Sequence, residues 1–359
     1  GVTITVNGQT GTGYSSTGNI TATGQAISIT TTTTTAAGID DTGTINGGVV
    51  TLTSTQTTGT ATATPITATG TITANSLTVI GTGGASTTIV SLGAVTINAG
   101  GGNITITANN LAAGGNTGIT QTGVINNNAV GSSIFLTSNN KINQTGAINL
   151  VANTGTTPAN IIFDATTGNL SSSITSGNLS VGAGVNSSTI NILMKSSGSA
   201  LNPGAIGSST VALPGYALLD NTYGCSGSSC AKTSGFISAT DNNLSLATTT
   251  TGVLINGVIY ATGNITANGV TATSNYGVNY TVTINSKATV TLNGATASGY
   301  GVLYTATTAP LISGNNVFIT GISTAAPSWA VSLGPVTINS AAIGGSLTVI
   351  GNVIGTPGA

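Results

Sequence analysis

The sequence predicts an all-β protein whose short strands wind into a β-solenoid, and three observations carry that expectation. Thr, Gly, Ser, Asn and Ala dominate the 359 residues, with 53 glycines and only 3% charged residues. Short aliphatic segments alternate with hydroxyl or amide residues at period two along the whole chain. Several of these segments return almost unchanged far away in the sequence.

Each observation excludes something. Disordered chains pair low hydrophobicity with high net charge, whereas this chain is 39% hydrophobic with a formal net charge of -1 and a mean hydropathy of +0.37. It is apolar enough to bury a core. Helix is disfavoured because Thr, Val, Ile and Asn are weak helix formers and the frequent glycines interrupt helical runs. Those β-branched residues suit a pleated surface. No run of about 18 apolar residues is present, so no transmembrane helix is expected. The strands are too short and the aromatics, at 4%, too few for the girdles of a membrane β-barrel.

In chain order the alternating segments fall at 26–30, 50–53, 76–79, 94–98, 103–107, 133–136, 147–150, 178–181, 189–192, 243–246, 281–284, 289–292, 335–339 and 346–349. Each presents one aliphatic face and one hydroxyl or amide face. Gly, Asn and Ser between them supply the turns. Three echoes stand out: Val-Ser-Leu-Gly-Ala-Val-Thr-Ile-Asn at 90–98 returns at 331–339 with one change, Ser-Leu-Thr-Val-Ile-Gly at 76–81 returns intact at 346–351, and 18–24 returns at 263–269 with one change.

A strand this short buries two or three side chains, at about 1.5–3 kcal/mol each, too little to hold an isolated hairpin. Stacking coil on coil places each aliphatic pair over the next and pairs the backbone along the stack. With about 20 residues per coil the chain would make roughly 18 coils, and at about 4.8 Å per coil a rod of roughly 85 Å. A β-sandwich array is the alternative, since short strands and glycine turns suit it too. Against it stands the lack of a recurrent aromatic core residue, Trp329 being the single tryptophan.

The rhythm breaks after about residue 200, where Pro203, Pro214, Tyr216, Tyr223 and both cysteines cluster. The expected organisation is therefore a β-solenoid over 1–200, an insertion or join over 201–240, and a solenoid continuation over 241–359. Four residues, rich in Gly and Ser, separate Cys225 from Cys230. That spacing favours a small disulfide loop and, with it, an oxidising compartment. It is wrong for a redox Cys-x-x-Cys motif, and no histidine exists to complete a metal site. The insertion reads as a stapled loop or, alternatively, a docking site for another subunit.

The segments Gly146-Ala-Ile-Asn-Leu-Val-Ala152 and Gly93-Ala-Val-Thr-Ile-Asn-Ala99 show the pattern Gly-x-Ile/Val-x-Ile/Leu-x-Ala/Asn. Tandem strands of this kind resemble the shaft of filamentous-haemagglutinin-type exoproteins and related large bacterial surface adhesins. The resemblance is compositional and covers most of the chain. It implies a right-handed parallel β-helix, secretion from a Gram-negative cell, and roles in adhesion, biofilm or surface coating. The Asn-Pro-Asn motif of that family's amino-terminal secretion domain does not occur here. The chain begins at Gly1, and a removed leader or a segment of a longer polypeptide is expected.

Catalysis is not expected. The acids are Asp40, Asp41, Asp164, Asp220 and Asp241, and the chain has four lysines and no histidine. Glycoside cleavage needs paired carboxyls across a bond, yet Asp40 and Asp41 would point to opposite faces of a strand. A hydroxyl nucleophile would lack its activating base. Calcium needs more oxygen ligands than this pair offers. Nucleic-acid binding lacks a basic footprint. The expectation is a protein without cofactor or catalytic residues, extracellular or on a bacterial surface. Its sequons, including those at Asn19, Asn103, Asn178 and Asn264, are common by chance in this composition.

Three functions compete. The leading one is a non-enzymatic structural subunit that polymerises head to tail into a filament or sheet, supporting adhesion or biofilm, with a host or surface glycan as a further partner. Low charge leaves association unopposed, open strand edges template pairing, and head-to-tail contacts without closure build filaments. The second is a monomeric stalk segment of a large secreted adhesin. The third is ice binding, for which 30–35 and 60–73 are Thr-rich, but the Thr-x-Thr pairs look scattered rather than ranked.

Overall fold

The computed structural model describes residues 1–85, 88–111, 117–150, 159–165, 173–181, 190–196, 200–221, 232–233, 236–237, 251–271, 275–306, 311–324, 329–339 and 344–353. The chain divides into two compact units, Gly1–Thr189 and Ile190–Ala359. Each is all-β, and no helix occurs among the described residues.

In the first unit every coil gives one strand to each of three parallel sheets of seven strands. The first sheet holds Val2–Gln9, Ile27–Thr33, Val49–Gln56, Ser76–Gly83, Ile104–Asn110, Ile134–Ser138 and Ala159–Ala165. The second holds Tyr14–Ser16, Ile39–Asp41, Ile66–Ala68, Thr88–Leu92, Thr117–Gln121, Lys141–Gln144 and Ile174–Ser176. The third holds Ile20–Ala22, Ile45–Gly47, Ile72–Ala74, Val95–Ile97, Ile125–Asn127, Ile148–Leu150 and Leu179–Val181. Neighbours in each sheet are strands of successive coils, always parallel, which rules out the sandwich alternative.

Period-two alternation decides which face turns inward. On the first sheet Ile27, Val50, Leu77, Ile104, Ile134 and Ile161 form one register column. Ile29, Leu52, Val79, Ile106, Leu136 and Phe163 form the next. All twelve are buried. A second-sheet column of Ile39, Ile66, Val90, Ile119, Ile142 and Ile174 closes the core.

The coils are longer and fewer than the sequence suggests. Register partners in the first column lie 23 to 30 residues apart, as from Ile27 to Val50 and from Ile104 to Ile134. The first unit therefore makes seven coils, and the expected total of roughly 18 at about 20 residues each is wrong. The reason is the third sheet: each coil adds a short strand and a corner that 20 residues do not accommodate.

The corner between second and third sheets is a glycine column. Gly43, Gly70, Gly123, Gly146 and Gly177 each bring the backbone against the coil before, so that a Cβ on Gly146 would overlap the carbonyl of Gly123. Two buried glutamines stitch this corner. Gln144 Nε2 donates to Gln121 Oε1 (3.1 Å) and to the Gly146 carbonyl, and Gly177 N–H donates to Gln144 Oε1 at 3.0 Å.

The second unit repeats the plan. Its first sheet comprises Ile190–Ser196, Ala217–Asp220, Ile265–Thr271, Thr289–Thr296, Asn316–Ser323 and Ser346–Val353. Leu201–Asn202, Val253–Ile255, Val278–Tyr280 and Val302–Tyr304 form the second. Ile259–Ala261, Ile284–Ser286, Ile312–Gly314 and Val336–Ile338 form the third. The segment read as an insertion over 201–240 begins inside this coil: Leu201 pairs with Val253, and Ala217–Asp220 pairs with Ile190–Ser196 and Ile265–Thr271. Two short antiparallel strands, Lys232–Thr233 and Phe236–Ile237, follow. The expected strand at 243–246 lies outside the described residues.

Candidate functional site

The residues singled out for chemistry are dispersed. Asp40 and Asp41 sit on Ile39–Asp41 with opposite orientations, Asp40 half-buried and Asp41 buried. Asp41 Oδ1 accepts from Gly43 N–H at 2.8 Å, while Oδ2 is buried without a partner. Burial raises the Asp41 carboxyl above its ordinary value, opposed by the Gly43 hydrogen bond and by the Tyr14 hydroxyl nearby. Asp164 lies on the first sheet of the first unit. Asp220, in the second unit, accepts from Asn268 Nδ2 at 3.2 Å, and Asn293 Nδ2 donates to Asn268 Oδ1 at 3.0 Å. That row is an amide ladder running across coils. Asp241, Cys225 and Cys230 lie outside the described residues. Among the described residues no group of three His, Cys, Asp or Glu could hold a metal ion.

The surfaces are more organised than the acids. On the outer face of the first sheet, Thr3, Ser28, Thr51, Thr78 and Thr105 stand in one register row. Thr5, Thr30, Thr53, Ile80, Thr107 and Thr137 form the next. Thr32, Thr55 and Thr82 begin a third. Rungs are about 4.8 Å apart and rows roughly 6.6 Å apart. The Thr-x-Thr pairs are thus ranked, not scattered as the sequence suggested. Coil lengths of 23 to 30 residues hide the rank in the sequence, and the aliphatic columns behind it fix the register.

A second feature is an apolar edge. In Ser346–Val353, Leu347 and Val349 are 48% and 45% exposed. Their register partners on the coil before, Val317 and Ile319, are fully buried. At the start of the first unit, Val2 and Ile4 are only half-buried, although their partners Ile27 and Ile29 are completely covered.

The third is a set of tyrosines in the second unit. Tyr280 and Tyr304 are register partners with ring centroids 5.6 Å apart. Tyr280 is fully buried and its oxygen accepts from Gly334 N–H at 3.0 Å. Burial pushes its hydroxyl up to about 12.

These features define the class: a parallel β-solenoid, an architecture compatible with the shaft of a β-helical surface adhesin. Compared with protein families, curated proteins and solved structures, the chain shows no match. No helix of the described residues is long and apolar enough to cross a membrane.

Proposed function

We propose that the chain is a non-enzymatic, extracellular structural protein that assembles head to tail into a surface filament or sheet, of the kind that supports adhesion or biofilm. The observation that carries this reading is the apolar edge of Ser346–Val353. Its first six residues are identical to those of Ser76–Gly83. The internal copy is covered by the next coil, with Ile104 over Leu77 and Ile106 over Val79. In Ser346–Val353 the same positions, Leu347 and Val349, are about half exposed. Val2–Gln9, which begins Val-Thr-Ile-Thr, carries the same alternation as the Ile-Thr-Ile-Thr that covers the internal copy. A second copy's first strand therefore suits this edge, with Val2 over Leu347 and Ile4 over Val349. Parallel pairing satisfies the free backbone groups, and a contact of this type does not close.

Electron microscopy of the concentrated protein tests the reading. Unbranched filaments or sheets are expected from the natural chain, and Leu347→Asp with Val349→Asp should leave dispersed particles. Dispersed monomers of the natural chain at every concentration would favour a monomeric stalk instead.

The threonine rank favours a second reading, binding to ice. A flat array of hydroxyls and methyls at two fixed spacings can order water into a lattice. Thermal hysteresis of the purified protein is the assay.

A further inference from the structure

The corner leading into the second sheet of the second unit carries an aromatic residue on three successive coils. The sequence reads Tyr276-Gly-Val278, then Tyr300-Gly-Val302, then Trp329-Ala-Val331. Val278 pairs with Val302 and Val302 with Val331. The backbone holds the corner in step: Val278 N–H donates to the Gly301 carbonyl at 2.9 Å and Val302 N–H to the Ala330 carbonyl at 3.1 Å. The three aromatics therefore occupy equivalent positions, one per coil and about 4.8 Å apart. The Tyr276 and Tyr300 rings lie 6.2 Å apart at 54°. Trp329 is 72% exposed, more than any other large apolar residue described.

The backbone beneath the rank is tightly packed. A Cβ on Gly294 would overlap the Gly301 carbonyl, and one on Gly321 would overlap the Ala330 carbonyl. Small residues thus press the corner against the end of the first sheet, which suits a site built on rigid elements. Trp329 is exposed on this support and Tyr276 and Tyr300 beside it are half-buried, and a contiguous apolar patch left in water marks an interaction site.

Charge decides what the rank can take. From residue 251 to residue 339 the only charged side chain is Lys287. It follows Ile284–Ser286 of the third sheet, at a different corner of the coil. A polyanion would find no cation at the aromatic corner, and a basic peptide no anion. The complementary ligand is neutral, long enough to span several rungs, and amphipathic, with flat apolar faces and polar edges. An extended polysaccharide of β-linked neutral pyranoses has that chemistry: its C–H faces lie on aromatic rings and its hydroxyls stay in water.

We infer that Tyr276, Tyr300 and Trp329 form a binding platform for a neutral β-linked polysaccharide. This deepens the reading of the chain as a surface protein by giving that surface a ligand class, and it rests on that reading for its setting.

Because Trp329 is the sole tryptophan, its fluorescence reports on this site alone. Titration of dilute, dispersed protein with cellohexaose should give a saturable blue shift, and sulfated heparin should give none. Tyr300→Ala should weaken binding roughly three- to tenfold, the size expected for one aromatic contact. Calorimetry on Trp329→Ala should show binding lost while the circular dichroism stays unchanged, as an exposed side chain requires. The inference is overturned by the absence of any shift at millimolar cellohexaose, by an equal response to heparin, or by binding that survives both substitutions. A shift that follows protein concentration instead of sugar would assign the platform to contacts between copies and would also overturn it. Sedimentation of the natural chain separates this result from assembly: an absence of filaments with sugar binding intact contradicts only the assembly reading.

Discussion

At the scale of single residues, most of the molecule's unusual chemistry is buried polar groups used as structural joints. Gln121 and Gln144 stand where an aliphatic residue would be expected and act as braces for the glycine corner. Asp41 occupies the same register column, two rungs before Leu92 and three before Gln121. Unlike the glutamines, it leaves an oxygen unsatisfied. Its carboxyl is raised from 3.8 by burial, so the folded chain holds that proton more tightly than the unfolded one. The contribution of this group to stability is therefore fullest below pH 3.8 and is lost as pH rises through the raised folded value. Asp41→Asn should keep the Gly43 hydrogen bond, remove this pH dependence, and raise stability at pH 7. Thermal melts of both proteins from pH 3 to pH 7 check it; a variant less stable at neutral pH would contradict the assignment.

At the scale of elements, the strands legible in the sequence are those with two inward aliphatics. Ile27 with Ile29, Leu77 with Val79 and Ile104 with Ile106 announce first-sheet strands by alternation alone. Second-sheet strands pair one aliphatic with a polar or small partner, as in Ile39 with Asp41, Ile142 with Gln144 and Ile174 with Ser176, and so pass for loops. The signal that would have found the coil repeat is Thr-Gly-x-Ile, at Thr17, Thr42, Thr69, Thr122 and Thr145. It marks the corner before five of the seven third-sheet strands of the first unit, Leu92-Gly-Ala-Val95 and Ser176-Gly-Asn-Leu179 standing at the other two. The aromatic rank was hidden for the same reason as the threonine rank: both become regular only once unequal coils are aligned. If the threonine face orders ice, Thr53→Tyr, which breaks the centre of the rank without touching the core, should abolish most of the thermal hysteresis shown by the natural chain. Retained hysteresis would exclude that face.

At the scale of the whole molecule, two units of like construction share a single stabilising device, the in-register stacking of aliphatic columns. Each such column is extendable in principle, because the contact between coils is also the contact a further coil would make. The chain's near-neutrality leaves no electrostatic barrier to that extension. The proposed self-assembly would require no separate interface, because a second copy's first strand would take the place of a further coil. The internal pair of Ser76–Gly83 and Ile104–Asn110 serves as the template for the register, Thr78 beside Thr105, which in the proposed assembly would place Thr3 of one copy beside Thr348 of another. The most direct measurement is oxidation of a chain carrying both Thr3→Cys and Thr348→Cys, followed by denaturing electrophoresis. Neighbouring parallel strands bring such residues within disulfide reach, so a ladder of covalent multimers is predicted for the double variant and no ladder for either single variant. A double variant that stays monomeric, or that gives only the pattern of the single variants, would contradict end-to-end stacking.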